Sequence, residues 1–288
     1  MKFNTLKEKC EYFRRLSDYR LVPNSYMIVM LDGRSFSKMV KKKYKLPFDE
    51  KFMDYMNKTA VALCNEIQGA KFAYVQSDEI SILVTDFDTP ETDACFGYRL
   101  CKMQSIFASI ASNTFNKLAL ADAVDEISTL GNGVNASDLI RDFKMVQFDC
   151  KCWTVPSAND AFCHFLWRQN DCVRNSKQQA AQTYLPHKEL VGKNTDEQVR
   201  LLRVTKGYDW ELFTAGEKYG RLIYKEEEQY STVIKRNRAD GSLEETPITY
   251  TRNTFKPHGA SLFGAENNII HSLIPSRIST KTTENDEN

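Results

Sequence analysis

No apolar run in the 288-residue chain approaches the roughly 20 residues that a membrane-spanning helix requires. A dominant charge is missing as well. Lys and Arg number 39 against 38 Asp and Glu, for a net charge of +1. The chain as a whole therefore has no electrostatic demand for a polyanion, and a nucleic-acid role has to rest on local basic patches. The N-terminal stretch MKFNTLKEKCEYFRRL lacks the apolar core of a secretory signal, and the early Glu8 and Glu11 fit a mitochondrial presequence poorly. A cytoplasmic protein is expected, with a mitochondrial one still compatible. The eight cysteines include no CxxC pair. Cys150 and Cys152 form C-x-C, followed by Cys163 and Cys172, a spacing that gives a zinc site little support. Reduced thiols serving as small core residues in an intracellular protein fit better. Neither an internal repeat nor a Pro/Gly-rich linker divides the chain, so one compact unit with elaborations is expected.

What the chain does have is periodic apolar patterning. Residues 6–20 predict a helix with Leu6, Cys10, Phe13 and Leu16 on one face, stopped by Pro23. YMIVML (26–31) is a short continuous apolar run, the pattern of a buried strand. DGRSFSKMV turns away from it, and PFD (47–49) opens a helix with Asp49 as N-cap and Phe52, Met56, Ala60, Leu63 and Ile67 at helical spacing. FAYVQ and ISILV then predict a hairpin around SDE, followed by a long helix over about 93–120. A strand within KMVQFDCKCW completes a β-α-β-β-α-β order, the split βαβ pattern. Residues 121–142 are expected as an inserted loop or short helix around GNG, and 158–182 as mostly helix. Residues 217–256 are expected as shorter strand-like pieces with a turn at RADGS. The polar end STKTTENDEN is expected to be disordered.

Two acidic breaks stand at the ends of apolar strands: Asp32 after YMIVML, and Asp78 with Glu79 at the hairpin tip. In a split βαβ sheet the first strand lies beside the hairpin, which brings Asp32 and Asp78 to one edge. Two carboxylates held together repel, and a proton or a hard cation relieves them. Mg²⁺ binds one or two carboxylates together with substrate phosphates and water. Gly33 allows its backbone to approach a ligand, its carbonyl is a further hard ligand, and Ser77 with the amides after Asp32 suits triphosphate oxygens. Each motif also has a plainer reading, an Asp-Gly turn and a solvated hairpin tip, and spacing alone leaves both open. Arg99 and Lys102 are either helix-surface charges or phosphate contacts, depending on whether their face points at the carboxylate edge. KKKYK (41–45) and KRNR (235–238) are either solvated faces or patches for an RNA backbone.

LDGRSF, PFDE, QSDE, FDCKCWTVPS and WRQNDCVRNS, in that order, resemble the tRNA-histidine guanylyltransferase family, and within it the Thg1-like branch. The likeness runs from about residue 20 to 205. It implies an α+β, polymerase-palm-like fold, with 1–150 as catalytic core, 151–277 as a helical and β elaboration packed on it, and 278–288 as tail. It implies nucleotide addition to tRNA 5′ ends in the 3′-to-5′ direction, after activation of the 5′-phosphate by ATP or GTP. Two Mg²⁺ ions are expected on Asp32, the Gly33 carbonyl and Asp78, with Glu79 as a further catalytic acid. The nucleotide is expected along Asp32, Gly33, Arg34, Ser35, Phe36, Ser37, Lys45, Ser77 and Asp78, with Arg99 and Lys102 on the activating triphosphate. Arg168, Asp171, Asn175 and Ser176 are expected at tRNA or at the second nucleotide. A homotetramer, built as a dimer of dimers, is likewise implied.

Departures from the family pattern shape the expected task. Val173 stands where the eukaryotic tRNA-histidine enzymes have histidine, although Asn175 is kept. That favours the branch that repairs truncated tRNAs by templated addition, with tRNA-histidine guanylylation as a further activity. Met30 stands where arginine is usual and Ser37 where histidine is common. A palm-type nucleotide cyclase, a nucleotidyltransferase on another acceptor and a silent RNA-binding relative are the competing readings.

Overall fold

The computed structural model describes residues 2–89, 91–130, 135–237, 243–266 and 268–277. The sequence patterns become one six-stranded sheet of order β4-β1-β3-β2-β5-β6, with every pair of neighbours antiparallel. Its strands are β1 (Tyr26–Gly33), β2 (Ala70–Gln76), β3 (Glu79–Val84), β4 (Phe148–Val155), β5 (Arg221–Asn237) and β6 (Leu243–Gly259). The helices are α1 (Leu6–Arg15), α2 (Phe36–Lys43), α3 (Glu50–Glu66), α4 (Leu100–Leu130), α5 (Ala136–Asp142), α6 (Ala158–Tyr184), α7 (His187–Leu190), α8 (Thr195–Lys206), α9 (Ala215–Tyr219) and α10 (Ile270–Leu273). The architecture is α+β, as expected. Among the described residues no helix is long and apolar enough to cross a membrane.

β1 reads as a continuous apolar run because both faces of the sheet are covered. Met27, Val29 and Leu31 pack on one face in the core that holds the buried residues of α3 and α4. Tyr26 and Ile28 point to the other face, where α6 supplies Ala161 and Phe165. The period of two along the strand thus divides a single greasy run between two cores. The N-caps follow the predicted chemistry. Asp49 Oδ1 accepts from the Phe52 N–H at 2.9 Å and starts α3, and Ser157 Oγ accepts from the Asp160 N–H at 3.1 Å and starts α6.

Several elements differ from the sequence expectation. The segment after Asp32 turns for only two residues and then forms α2, because Phe36 is driven into the core among Phe52, Phe115 and Phe148, with ring centroids 5.0–6.1 Å away. α4 starts at Leu100 rather than near 93, since Phe96, Gly97 and Tyr98 adopt left-handed backbone that no α-helix accommodates. It then continues through 121–130, where an inserted loop or short helix is expected, and α5 is the short helix within that stretch. The second half of α4 is tied to α3 by the Tyr55 hydroxyl on Asp122 at 2.6 Å and by Lys51 on Glu126 at 2.6 Å. GNG, the RADGS turn and the 278–288 tail lie outside the described residues.

Residues 221–259 form not short pieces but two 17-residue strands. β5 joins β2 through Arg221–Tyr224 and then runs on paired only with β6. The expected boundary after residue 150 therefore falls inside β4, and β5 extends the same sheet as β1.

Candidate active site

Strand register sets the geometry of the acidic motifs. Asp32 faces Glu79 across β1–β3 and Asp149 across β1–β4. Directly opposed residues of antiparallel strands share a face, so Asp149, Asp32 and Glu79 form a row over three adjacent strands. Asp78 stands beside this row in the two-residue turn that joins β2 to β3, after Ser77 in left-handed conformation. The Gly33 N–H donates to the Asp78 carbonyl at 3.2 Å, which joins the two motifs directly. Asp149 was not singled out from the sequence. Its only signal is an acid near the start of a strand, which acquires meaning once β4 is known to pair with β1.

The carboxylates are electrostatically frustrated. Burial, then Asp78, Asp149 and Glu79 in that order, raise Asp32 to about 6, while Lys151 opposes the shift. Burial likewise raises Asp78, against a hydrogen bond from Ser77. Such a pair favours a proton or a cation. Among the described residues no group of three or more His, Cys, Asp or Glu side chains gathers closely enough to hold a metal ion by itself. The donors present are the neighbouring carboxylates of Asp32 and Asp78 and the backbone carbonyls of the same two motifs. That set suits Mg²⁺, which takes its remaining ligands from phosphate and water.

Glu79 has a different environment. Arg168 of α6 donates to both of its carboxylate oxygens at 2.7 Å, and also to Asp171 at 2.9 Å. Glu79 and Arg168 are each 7% exposed. Burial still pushes the Glu79 carboxyl upward, against the pull of Arg168. One helical turn before Arg168, His164 Nε2 lies 3.2 Å from Ser81 Oγ, and burial followed by Arg168 lowers its pKa to about 4. Arg168 therefore braces Glu79 and Asp171 inside the fold rather than facing outward.

The other expected residues divide into two groups. Ser37, Ser77 and Asp78 line one cleft of about 330 Å³, whose walls also include Lys41, Gln179 and Thr183. Lys45, Ser77, Asn175 and Ser176 line a narrower slot of about 60 Å³ that adjoins it through shared Val40, Ser77 and Gln179. Asn175 donates to Asp171 at 3.3 Å, and buried Ser176 accepts from the Trp210 indole N–H at 2.8 Å. Arg34 donates to the Gln147 side chain at 2.8 Å. Ser35 starts α2 without a side-chain cap, and the Phe36 ring is a core anchor at 1% exposure, so at 35–37 it is the exposed Ser35 and Ser37 and the backbone, not the Phe36 ring, that face outward.

Arg99 and Lys102 are not brought to the carboxylates. Arg99 donates to Asp18 at 2.8 Å beside a backbone bridge to Arg20, and Lys102 sits over the Phe96 ring. These contacts lie at the start of β1, whereas Asp32 lies at its end, about 20 Å away at ~3.3 Å per residue. The late start of α4 explains the placement, because the helix runs from that far end toward Phe148. Within this chain the pair therefore lies apart from the edge that carries Asp32 and Asp78.

With this geometry in place, the relatives of the chain are informative. The family model for tRNAHis guanylyltransferase (Thg1) matches residues 7–156, and the chain belongs to that family. An uncharacterized protein of Acanthamoeba polyphaga mimivirus is 28% identical over 235 residues, covering 76% of each chain. The tRNA(His) guanylyltransferase of Neurospora crassa is 35% identical over 170 residues, covering 58% of this chain and 52% of the relative. In structure the chain is similar to a bacterial Thg1-like protein in complex with ATP, at TM-score 0.73 and 24% identity, covering 94% of this chain and 99% of that one. That last likeness establishes the fold.

Proposed function

We propose that the chain is a template-directed 3′-to-5′ nucleotidyltransferase for tRNA 5′ ends, with 5′-end repair as its principal task and tRNA(His) guanylylation as a second. The observation that carries this reading is the Gly33–Asp78 backbone hydrogen bond, which joins the Asp32 motif to Asp78, a lining residue of the cleft. The first N–H groups of α2 have no side-chain cap from Ser35 and suit the phosphates of an incoming nucleoside triphosphate. Its base then lies toward the slot beyond Ser77. Asp32, Asp78 and the Gly33 carbonyl are the residues that would hold Mg²⁺. When bound, the ion supplies positive charge against the carboxylates and the phosphate oxygens. Glu79, braced by Arg168, keeps the β3 end of the site in place, a positioning role rather than a direct one.

In the proposed reaction ATP or GTP first activates the tRNA 5′-monophosphate. The 3′-hydroxyl oxygen of the incoming nucleotide then attacks the activated phosphorus, and the activating nucleoside monophosphate leaves. A homotetramer remains part of the proposal through the family resemblance. The test is incubation with 5′-truncated tRNAs, Mg²⁺, ATP and labelled nucleoside triphosphates. Extension that follows the opposing strand is expected. No extension on several tRNAs by folded protein would overturn the reading, and a cyclic nucleotide formed from triphosphate alone would replace it with a cyclase.

A further inference from the structure

Trp167 is a large apolar side chain left in water beside the acidic row. Of the three tryptophans, Trp210 is buried with its N–H on Ser176 and Trp153 packs against His164, whereas Trp167 is 56% exposed. Tryptophan covers roughly 150–250 Å² when buried, so this exposure forgoes stabilisation that packing would supply. The ring is nevertheless held in place. The Arg168 guanidinium lies over it, 4.3 Å from the ring centroid, and His164 meets it at 5.9 Å and a steep angle of 67°. Both supports are fixed in turn, Arg168 by Glu79 and Asp171, and His164 by Ser81. A rigid aromatic plate loses little freedom when a second flat ring covers it. The plate also stands apart from the cleft at Asp78. Gln179, Gln182 and Thr183 of α6 line that cleft, and Trp167 precedes Gln179 by roughly 18 Å along the helix at ~1.5 Å per residue. Between them Arg168 ties α6 to Glu79, which faces Asp32. α6 therefore passes the cleft with its second half, reaches the carboxylates at Arg168, and presents Trp167 just beyond.

We propose that Trp167 is a stacking platform for an unpaired nucleobase of the RNA acceptor, in the single-stranded 3′ tail opposite the growing 5′ end. The inference rests on the tRNA reading above and deepens it by placing a second part of the RNA. In templated addition the 5′-terminal base is paired, and the incoming base covers its open face. The unpaired residues of the 3′ strand keep their faces free, the state in which bases stack on aromatic side chains. Stacking reads no base edge, since every base has a π face, and so suits a protein acting on several tRNAs. The incoming nucleotide is then held by the cleft on one side of Arg168, and the tail by Trp167 on the other.

The experiment is equilibrium binding of the full chain, with Mg²⁺, to a tRNA that lacks its first 5′ nucleotide and carries either its natural 3′ tail or a tail of abasic residues. Wild type, Trp167→Leu and Trp167→Tyr are compared, each checked for folding by circular dichroism. Wild type is expected to bind the natural tail about tenfold more tightly than the abasic one. Trp167→Leu is expected to bring the two within about twofold, and Trp167→Tyr to keep most of the difference. In templated extension Trp167→Leu should raise the KM for tRNA about tenfold and leave the KM for the nucleoside triphosphate unchanged. Equal binding of both tails by wild type overturns the platform. So does a folded Trp167→Leu that keeps the wild-type preference, or one whose only loss is in nucleoside triphosphate affinity. If Trp167→Leu does not fold, tryptophan fluorescence decides: the natural tail should quench it more than the abasic tail in wild type but not in Trp167→Tyr, and equal quenching overturns the role of this residue. Tail-dependent binding without any extension overturns the proposed function alone. Failure to bind tRNA at all overturns both.

Discussion

The Gly33 N–H reaches the Asp78 carbonyl at 3.2 Å, one step beyond the register in which Asp32 faces Glu79. That bond continues the β1–β3 pairing into the turn. It fixes the ends of two distant motifs against each other without using either carboxylate. That bond leaves the side chains of Asp32 and Asp78 uninvolved, and their backbones supply the rigidity.

Gly33 is required for a second reason. A Cβ added there would sit 2.4–2.7 Å from the Phe36 ring, which is itself locked among Phe52, Phe115 and Phe148. Gly33→Ala is therefore expected to destabilise the protein by about 1–3 kcal/mol through overpacking. The displaced α2 start should also lower templated extension. Urea denaturation and an extension assay check the two parts, and a variant unchanged in both would refute the close fit.

Asp32 gives a pH prediction with a definite sign. Its pKa is raised from 3.8 to about 6, so between those values the folded protein holds more proton than the unfolded chain. Its contribution to stability therefore falls as pH rises through the window from 4 to 6, and at pH 7 the full penalty is present. With partial solvent exposure allowed for, Asp32→Asn should stabilise the metal-free protein at pH 7 by about 1 kcal/mol. The same substitution should abolish stabilisation by Mg²⁺ and reduce nucleotidyl transfer by about 10²–10⁴-fold. In wild type, Mg²⁺ affinity should weaken as pH drops below about 6. Thermal melts from pH 5 to 8, with and without Mg²⁺, read all of this, and a pH-independent Mg²⁺ shift would contradict it.

The palm-like order was legible in the sequence because each apolar run carried its own period and its own stop. Asp49 announced α3, and the break at SDE announced the hairpin. What depends on contacts between distant segments was not legible. Asp149 resembles any acid near a strand start until β4 lies beside β1. The start of α4 at Leu100 was not legible either, because the left-handed run at 96–98 has only one glycine to signal it.

The Glu79–Arg168 pair should behave as a structural brace. Removing one partner leaves the other charged and buried, so Arg168→Met alone is expected to cost about 3–5 kcal/mol. The double variant Glu79→Leu with Arg168→Met should recover much of that loss. Chemical denaturation of the two singles and the double completes the cycle. Additive losses would show that the two groups act separately, against the bidentate geometry at 2.7 Å.

Met30 presents the last question, because a cation is usual at that position in the resembling family. In this chain Met30 faces Lys151 across β1–β4, one alternate position along from the Asp32–Asp149 pair. Lys151 is also the nearby charge that opposes the rise of Asp32. Lys151 on β4 thus supplies positive charge to the row in which β1 carries the neutral Met30. Lys151→Met should raise the Asp32 titration midpoint further and weaken nucleoside triphosphate binding by about tenfold, a fraction of the ~4 kcal/mol available to a close pair near the surface. Adding Met30→Arg to that variant should restore binding, since opposed residues share a face and the new guanidinium would fall in the same row. Binding affinities of wild type, single and double variants decide the point. Unchanged affinity in Lys151→Met, or failure of Met30→Arg to rescue a loss, would show that the charge serves some other end.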